Sequence, residues 1–197
     1  MTRLYLVRHG ETEFNKRGCY YGWTDCELSQ NGVGQAELLH EVFQEIKLDV
    51  TISSDLKRAV DTANIICSGK DIEVHRDTRL RELNFGAWEG KHYTDIMQQY
   101  KENWEEWTSD WQNAAPIQGE SFAELCQKVC QCIDELLVRY HDKEILIVAH
   151  QGVLRIIITY LLNIPMDKIW SFNFSQGTYS ILEIHENNCI IQGINKL

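Results

Sequence analysis

Two histidines of this 197-residue chain follow apolar runs that predict buried strands. His9 comes after the run at residues 4–7, and His150 comes after the run at residues 145–149. Continuous aliphatic runs that lead through a glycine turn into a helical pattern are typical of a parallel sheet. Because parallel strands direct their carboxyl ends to one crevice, we expect His9 and His150 to be neighbours there. A neutral imidazole in such a crevice can act as a nucleophile.

Two arginines are predicted at the same edge. Arg8 precedes His9, and Arg58 lies in the first turn of a predicted helix, for which Ser54 is the expected N-cap. Guanidinium groups, imidazoles and the free N–H groups of a helix N-terminus favour a multiply charged anion, and phosphate is the natural candidate. Any one of these residues could be an ordinary strand-end or surface side chain. Their coincidence at one edge favours a phosphate site.

The alternation of strand and helix patterns predicts an α/β fold with a parallel core sheet, in one domain over residues 1–197. The predicted strands cover residues 3–8, 50–53, 72–76 and 144–149, and the predicted helices cover residues 30–46, 55–68, about 121–140 and 152–163. Two late β-like runs, residues 178–185 and 189–194, flank Glu186-Asn187-Asn188 and predict a closing hairpin.

The segment at residues 6–15, which contains Arg8-His9-Gly10, resembles the signature of the histidine phosphatase superfamily in its phosphoglycerate-mutase-like branch. Further matching segments span essentially the whole chain, at residues 53–63, 81–90 and 149–152. The resemblance implies a three-layer α/β/α sandwich with a mostly parallel central sheet. It also implies a helical insertion over the active site, here at about residues 91–119.

The residues at the edge can be combined into a phosphoryl-transfer mechanism. His9 attacks phosphorus to give a phosphohistidine, and Arg8, Arg58 and His150 supply donors for the oxygens of the transferring group. An alkyl phosphate has a poor leaving group, so a general acid is needed. On the residues alone, Glu82 is a surface carboxylate paired with a neighbouring arginine. The resemblance of residues 81–90 to the family's acid/base segment instead implies that Glu82 is the acid, with Glu11 as the weaker alternative.

The predicted insertion carries Trp104, Trp107 and Trp111, whose spacings of three and four put the indoles on one stripe of a predicted helix. These tryptophans could anchor the helix on the core or contact a substrate. The sequence from Trp111 to Phe122 is similar to that of the α-ribazole phosphatases of the cobalamin pathway, which implies a flat aromatic substrate. The residues expected to bind substrate are Asn15, Tyr21, Gly22, Gln151, Trp88 and Trp111.

Charge and cysteine content exclude several classes of partner. The formal net charge of −10 argues against binding to nucleic acid or to anionic membrane surfaces. Residues 156–162, the longest apolar stretch, are too few to span a bilayer, and no signal peptide is recognised. The seven cysteines match no zinc spacing and predict reduced thiols in the cytoplasm, with Cys126 and Cys130 in the core rather than on a metal. Neither a metal nor a cofactor is expected.

The leading hypothesis is a phosphomonoesterase that hydrolyses a small-molecule phosphate ester, with α-ribazole 5′-phosphate as the expected substrate. The alternatives are a phosphoglycerate mutase or a phosphatase for another small ester, such as phosphoserine or a sugar phosphate. A non-catalytic binding protein on the same fold is disfavoured, because every residue that the mechanism needs is present. The sequence leaves open whether the chain forms a homodimer.

Overall fold

The computed structural model describes residues 1–186 and 188–197. The strands are β1 (Thr2–Arg8), β2 (Cys19–Tyr20), β3 (Val50–Ser53), β4 (Val74–Arg76), β5 (Lys91–His92), β6 (Glu144–Ala149), β7 (Tyr179–His185) and β8 (Asn188–Lys196). The α-helices are α1 (Glu13–Lys16), α2 (Gln30–Gln44), α3 (Lys57–Ile66), α4 (Tyr93–Gln99), α5 (Lys101–Ser109), α6 (Phe122–Arg139) and α7 (Gln151–Leu161). Short 3₁₀ helices cover Thr78–Leu80, Gly86–Trp88 and Met166–Ser171.

Within the described residues, six strands form the main sheet in the order β4-β3-β6-β1-β7-β8. The first four strands in this order are parallel, and β7 and β8 add an antiparallel edge. Strand β6 lies at the centre, and its residues from Ile145 to Ala149 are all fully buried. This burial on both faces explains why its sequence is a continuous aliphatic run rather than an alternating one. The prediction of a mostly parallel α/β sheet is confirmed.

Helices cover both faces of the sheet. On one face, Phe43 of α2 and Ile66 of α3 join a core cluster with Val148 of β6. On the other face, Leu125 of α6 and Ile157 of α7 join a second cluster together with residues of β1 and β6. Helix α6, which lies within the predicted helix at about residues 121–140, begins at a capping box in which the side chains of Ser121 and Glu124 accept from each other's backbone N–H groups. The sheet is therefore held rigidly between two layers, with its strand ends exposed to a crevice.

Three local predictions need correction or comment. Ser54 is not an N-cap, because α3 begins at Lys57 and its N-cap residue is Leu56. Trp111 is not on the same helix as Trp104, because α5 ends at Ser109. The closing hairpin is confirmed by the antiparallel pairing of β7 with β8, although its predicted turn residue Asn187 lies outside the described residues.

No helix in the described part of the chain is long and apolar enough to cross a membrane.

The segment expected to cover the site consists of β5, α4, α5 and a turn-rich stretch up to Gly119. Strand β5 pairs with β2, which ties this segment to the loop that follows β1. Trp104 and Trp107 pack against Trp88, with ring centroids 5.5 and 5.6 Å from it, and Tyr20 lies 6.3 Å from the same indole. Aromatic packing of this kind fixes the covering segment against the sheet edge.

Candidate active site

His9 and His150 lie side by side at the carboxyl ends of β1 and β6. The backbone N–H of His9 donates to the Ala149 carbonyl at 2.9 Å. The two histidines therefore follow the ends of adjacent strands at the same height along the sheet. Their ring centroids are 5.0 Å apart, and both side chains are buried, at 3% and 1% exposure. The prediction that they are neighbours is correct.

The hydrogen bonding of His9 determines its tautomer. Its Nδ1 lies 2.7 Å from the Gly10 carbonyl oxygen, which can only accept, so Nδ1 carries the proton and Nε2 the lone pair. Burial and the positive charges of Arg58 and Arg8 hold the pKa of His9 well below its usual 6.5. His9 is therefore a neutral imidazole at neutral pH, with Nε2 available as a nucleophile.

His150 is held by Ser54, which follows β3. The Ser54 hydroxyl lies 2.9 Å from His150 Nε2, and the Ser54 N–H donates to the Val148 carbonyl at 3.0 Å. His150 Nδ1 is buried and has no hydrogen-bond partner among the residues that are described. Burial, together with Arg58, His9 and Arg8, holds the pKa of His150 well below 6.5. An unpartnered buried nitrogen beside His9 is a group that a bound ligand can satisfy.

Arg58 and Arg8 bring positive charge to the histidines. Arg58 is wholly buried and donates to the Gly22 carbonyl at 2.6 Å and to the Thr24 carbonyl at 3.0 Å. Arg8 donates to the Phe174 carbonyl at 3.2 Å, and burial lowers its pKa. Neither arginine has a carboxylate within 4.0 Å over residues 1–186 and 188–197. Because buried charges are normally paired, two arginines held only by carbonyls are complementary to a dianion such as a phosphate group.

Glu82 lies at the same crevice. Its Oε2 accepts from the Gly152 N–H and its Oε1 from the Leu83 N–H, both at 3.0 Å. A Cβ atom on Gly152 would lie 2.4 Å from Glu82 Oε1, so a larger residue here would displace the carboxylate from this position. The alternative acid, Glu11, accepts from the Ser29 hydroxyl, which lowers its pKa, and it does not line the cavity.

A cavity of about 410 Å³ joins these groups. It is lined by Arg8, His9, Asn15, Gly18, Cys19, Tyr20, Tyr21, Arg58, Glu82, Leu83, Phe85, Trp107, Trp111, Phe122, His150, Gln151, Gly152, Arg155 and Trp170. All five residues predicted to be catalytic are in this lining, and so are four of the six expected to bind substrate. The volume suits one small molecule with an aromatic portion.

Two residues expected to bind substrate lie elsewhere. Trp88 is fully buried behind Trp107 and packs against Trp104, so it supports the covering segment and does not face the cavity. The N–H of Gly22 donates to Glu89 and its carbonyl accepts from Arg58, so its backbone groups are already occupied. Both placements correct the expectation of direct contact.

Arg155, Trp170 and Phe122 are among the lining residues that reasoning from the sequence missed. Arg155 follows Gln151 by four residues on α7, a spacing that puts both on one helical face and could have revealed it. Its Nε donates to the Phe172 carbonyl at 2.7 Å, and its guanidinium lies 5.1 Å from the centre of the Trp170 ring. Trp170 and Phe122 flank Trp111, with ring centroids 5.2 and 5.1 Å from it. No pattern in the sequence indicates that these distant aromatic residues lie together.

Metal-ligating residues do not gather at the cavity. No group of three or more His, Cys, Asp or Glu side chains with metal-binding geometry occurs in the described portion of the chain. Burial raises the pKa of the Cys126 thiol to about 12 and also raises that of Cys130. Both thiols pack against the core cluster between α6 and α7. They are half-buried thiols at the margin of the core, whereas the sequence predicted them within it.

Comparison with known proteins identifies relatives along the full chain. Residues 4–197 match the model of the histidine phosphatase superfamily (branch 1). The adenosylcobalamin/alpha-ribazole phosphatase of Salmonella typhimurium is 38% identical over 98% of this chain and 96% of that protein. Phosphoserine phosphatase 1 of Hydrogenobacter thermophilus is 33% identical over 99% of this chain and 92% of that protein. The crystal structure of the alpha-ribazole phosphatase from Shigella flexneri superposes with a TM-score of 0.95 at 38% identity, covering 98% and 96% of the two chains.

The two buried histidines predict a pH-dependent stability. Their pKa values in the folded chain lie well below 6.5, whereas histidines of the unfolded chain titrate near about 6.5. The unfolded chain then binds more protons, so the free energy of unfolding falls as the pH is lowered through about 6.5. Urea unfolding between pH 7.5 and 5.5 should show a steep profile for the wild type and a flatter one for the His9→Gln, His150→Gln double variant. His75→Gln, outside the site, is the control, and equal slopes for wild type and double variant would contradict the interpretation.

Proposed function

Because the chain belongs to the histidine phosphatase superfamily and is a phosphomonoester hydrolase, we propose that it hydrolyses α-ribazole 5′-phosphate to α-ribazole and phosphate. The observation that carries the catalytic part of the proposal is the neutral His9 imidazole beside the buried Arg58 and the half-buried Arg8, neither of which has a carboxylate within 4.0 Å among the described residues. The substrate is supported by the full-length similarity to alpha-ribazole phosphatases and by the aromatic cavity wall.

In the first step, Nε2 of His9 attacks phosphorus and the ester P–O bond breaks. The proton stays on Nδ1, which donates it in a hydrogen bond to the Gly10 carbonyl, and the lone pair of Nε2 forms the new P–N bond. Arg8 and Arg58 neutralise the charge on the equatorial phosphoryl oxygens, which is the main requirement of phosphoryl transfer. His150 donates a further hydrogen bond to the same group. The product of this step is phosphohistidine.

Glu82 handles the protons of both steps. In its protonated form it gives a proton to the departing ribose oxygen, which would otherwise leave as a costly alkoxide. The Glu82 carboxylate then takes a proton from water, and the water oxygen attacks phosphorus and breaks the P–N bond. Phosphate and free His9 result, and Glu82 is protonated for the next cycle. The N–H groups of Leu83 and Gly152 hold the carboxyl group in one orientation throughout.

The leaving group occupies the aromatic end of the cavity. Trp111, Trp170 and Phe122 offer faces and edges on which the dimethylbenzimidazole ring stacks. Asn15 and Gln151 supply polar contacts to the ribose.

We place the reaction in the cytoplasm, a proposal supported by the free thiols of all seven cysteines.

Phosphoserine is the second candidate substrate. It is favoured by the similarity to a phosphoserine phosphatase and by Arg155, whose guanidinium in the cavity lining could pair with a substrate carboxylate. The aromatic residues around Arg155 have no role in this alternative, which is why α-ribazole 5′-phosphate is preferred.

Replacing Glu82 by Gln tests the general acid. Loss of a general acid costs about 10²- to 10⁴-fold, and the cost shrinks when the leaving group needs no proton. Glu82→Gln should therefore reduce kcat on α-ribazole 5′-phosphate far more than on p-nitrophenyl phosphate, as measured by steady-state kinetics. Glu11→Gln is the matched control and should affect both substrates little. Equal losses on both substrates in Glu82→Gln would show that Glu82 is not the acid.

A kinetic panel tests the substrate. We expect kcat/KM to favour α-ribazole 5′-phosphate over phosphoserine, 3-phosphoglycerate and fructose bisphosphate by at least roughly tenfold, or about 1.4 kcal/mol of transition-state binding. Phosphoglycerate mutase activity is assayed in parallel. A preference for phosphoserine would keep the phosphatase assignment and reject the α-ribazole one.

A further inference from the structure

The carboxylate of Glu89 accepts hydrogen bonds from four backbone N–H groups. Gly22 donates to its two oxygens at 2.9 and 3.0 Å, Trp23 at 2.9 Å and Thr24 at 3.0 Å. Phe85 donates to it at 3.1 Å from the other side. Successive N–H groups that converge on one anion form a nest, which holds the backbone in a defined conformation.

The segment from Gly22 to Thr24 also holds Arg58 through its carbonyl groups. Arg58 donates from one terminal nitrogen to the Gly22 carbonyl at 2.6 Å and from the other to the Thr24 carbonyl at 3.0 Å. The Tyr21 ring packs on the guanidinium, with its centre 4.7 Å from Arg58 Cζ. The N–H groups of this segment thus donate hydrogen bonds to Glu89, and the Gly22 and Thr24 carbonyls accept hydrogen bonds from Arg58.

The fit of this segment leaves no room for rearrangement. A Cβ atom on Gly22 would lie 1.6 Å from the Leu83 carbonyl oxygen. Arg58 is fully buried and has no carboxylate within 4.0 Å among the residues described, so the two carbonyls orient it together with the Tyr21 ring. A carbonyl dipole orients a guanidinium without neutralising it, which leaves the charge available for a phosphate group.

We infer that Glu89 is a positioning residue for Arg58: its carboxylate fixes the backbone from Gly22 to Thr24, whose carbonyls aim the guanidinium at the phosphoryl oxygens. The inference rests on the proposed function, in which Arg58 binds the transferring group. Glu89 itself does not line the cavity and touches no substrate. Without its carboxylate, three successive N–H groups lose their acceptor and the carbonyls of the same peptides are no longer held.

Binding of inorganic phosphate, measured by isothermal titration calorimetry, gives a direct readout of Arg58. Loss of one charge-assisted hydrogen bond weakens binding by about 10- to 100-fold. We expect Glu89→Ala to weaken phosphate binding and to lower kcat/KM on p-nitrophenyl phosphate by a factor in this range. Glu89→Gln keeps one acceptor oxygen for the nest but puts an NH₂ donor against backbone N–H groups in place of the other, so it should recover only part of the loss. It also serves as the informative variant if Glu89→Ala does not fold.

A double-mutant cycle separates positioning from a general loss of structure. If Glu89 acts through Arg58, Glu89→Ala should weaken phosphate binding little further in an Arg58→Ala background. Glu120→Ala is the matched control, because Glu120 also accepts a backbone N–H, from Asn84 at 3.0 Å, but has no contact with the Gly22–Thr24 segment. It should leave phosphate binding unchanged.

The outcomes distinguish this inference from the proposed function. If Arg58→Ala binds phosphate as tightly as the wild type, the role of Arg58 is wrong and the inference is wrong with it. If Arg58→Ala weakens binding while Glu89→Ala does not, or if the two losses are additive, the role of Glu89 is overturned and that of Arg58 stands.

Discussion

The parallel pairing of β1 with β6 brings the two histidines together, because Arg8 pairs with Ala149 and the next residue of each strand is a histidine. On the other side of β6, Ser53 of β3 pairs with Val148, which places Ser54 one residue before His150, and its hydroxyl lies 2.9 Å from His150 Nε2. A shift of one residue in either register would turn these side chains to the opposite face of the sheet. The apolar residues that fix the register, buried on both faces, are therefore also what fixes the catalytic geometry.

Uncompensated positive charge is the second condition of the site. The chain as a whole carries a net charge of −10, yet Arg8 and Arg58 are held by backbone carbonyls and not by carboxylates. Their charges attract a phosphate dianion and, added to the larger effect of burial, lower the pKa values of the neighbouring imidazoles. One arrangement thus serves both binding and nucleophilicity. The cost of burying these charges is offset when the anion binds, so ligand binding should stabilise the fold.

The sequence predicts the parts of this site that depend on local pattern. The bounds of β3 are those predicted, and so are those of β6, because each strand consists mainly of a β-branched or aliphatic run. The meeting of His9 with His150 follows from parallel strands alone. Trp88 was misplaced because an aromatic residue at a loop can face a cavity or support it, and only packing against Trp104 and Trp107 decides. Glu89 contacts residues distant in the chain, for which one sequence carries no signal, whereas Arg155 is indicated only by its spacing of four residues from Gln151 on α7.

Trapping of a covalent intermediate tests the central role of His9 most directly. The enzyme is mixed with radiolabelled substrate, quenched in alkali within a single turnover, and digested for peptide mapping. We expect an acid-labile, base-stable phosphate on the peptide that contains His9, and neither this adduct nor turnover in His9→Ala. A labelled peptide that contains His150 but not His9, or full activity of His9→Ala, would contradict this mechanism.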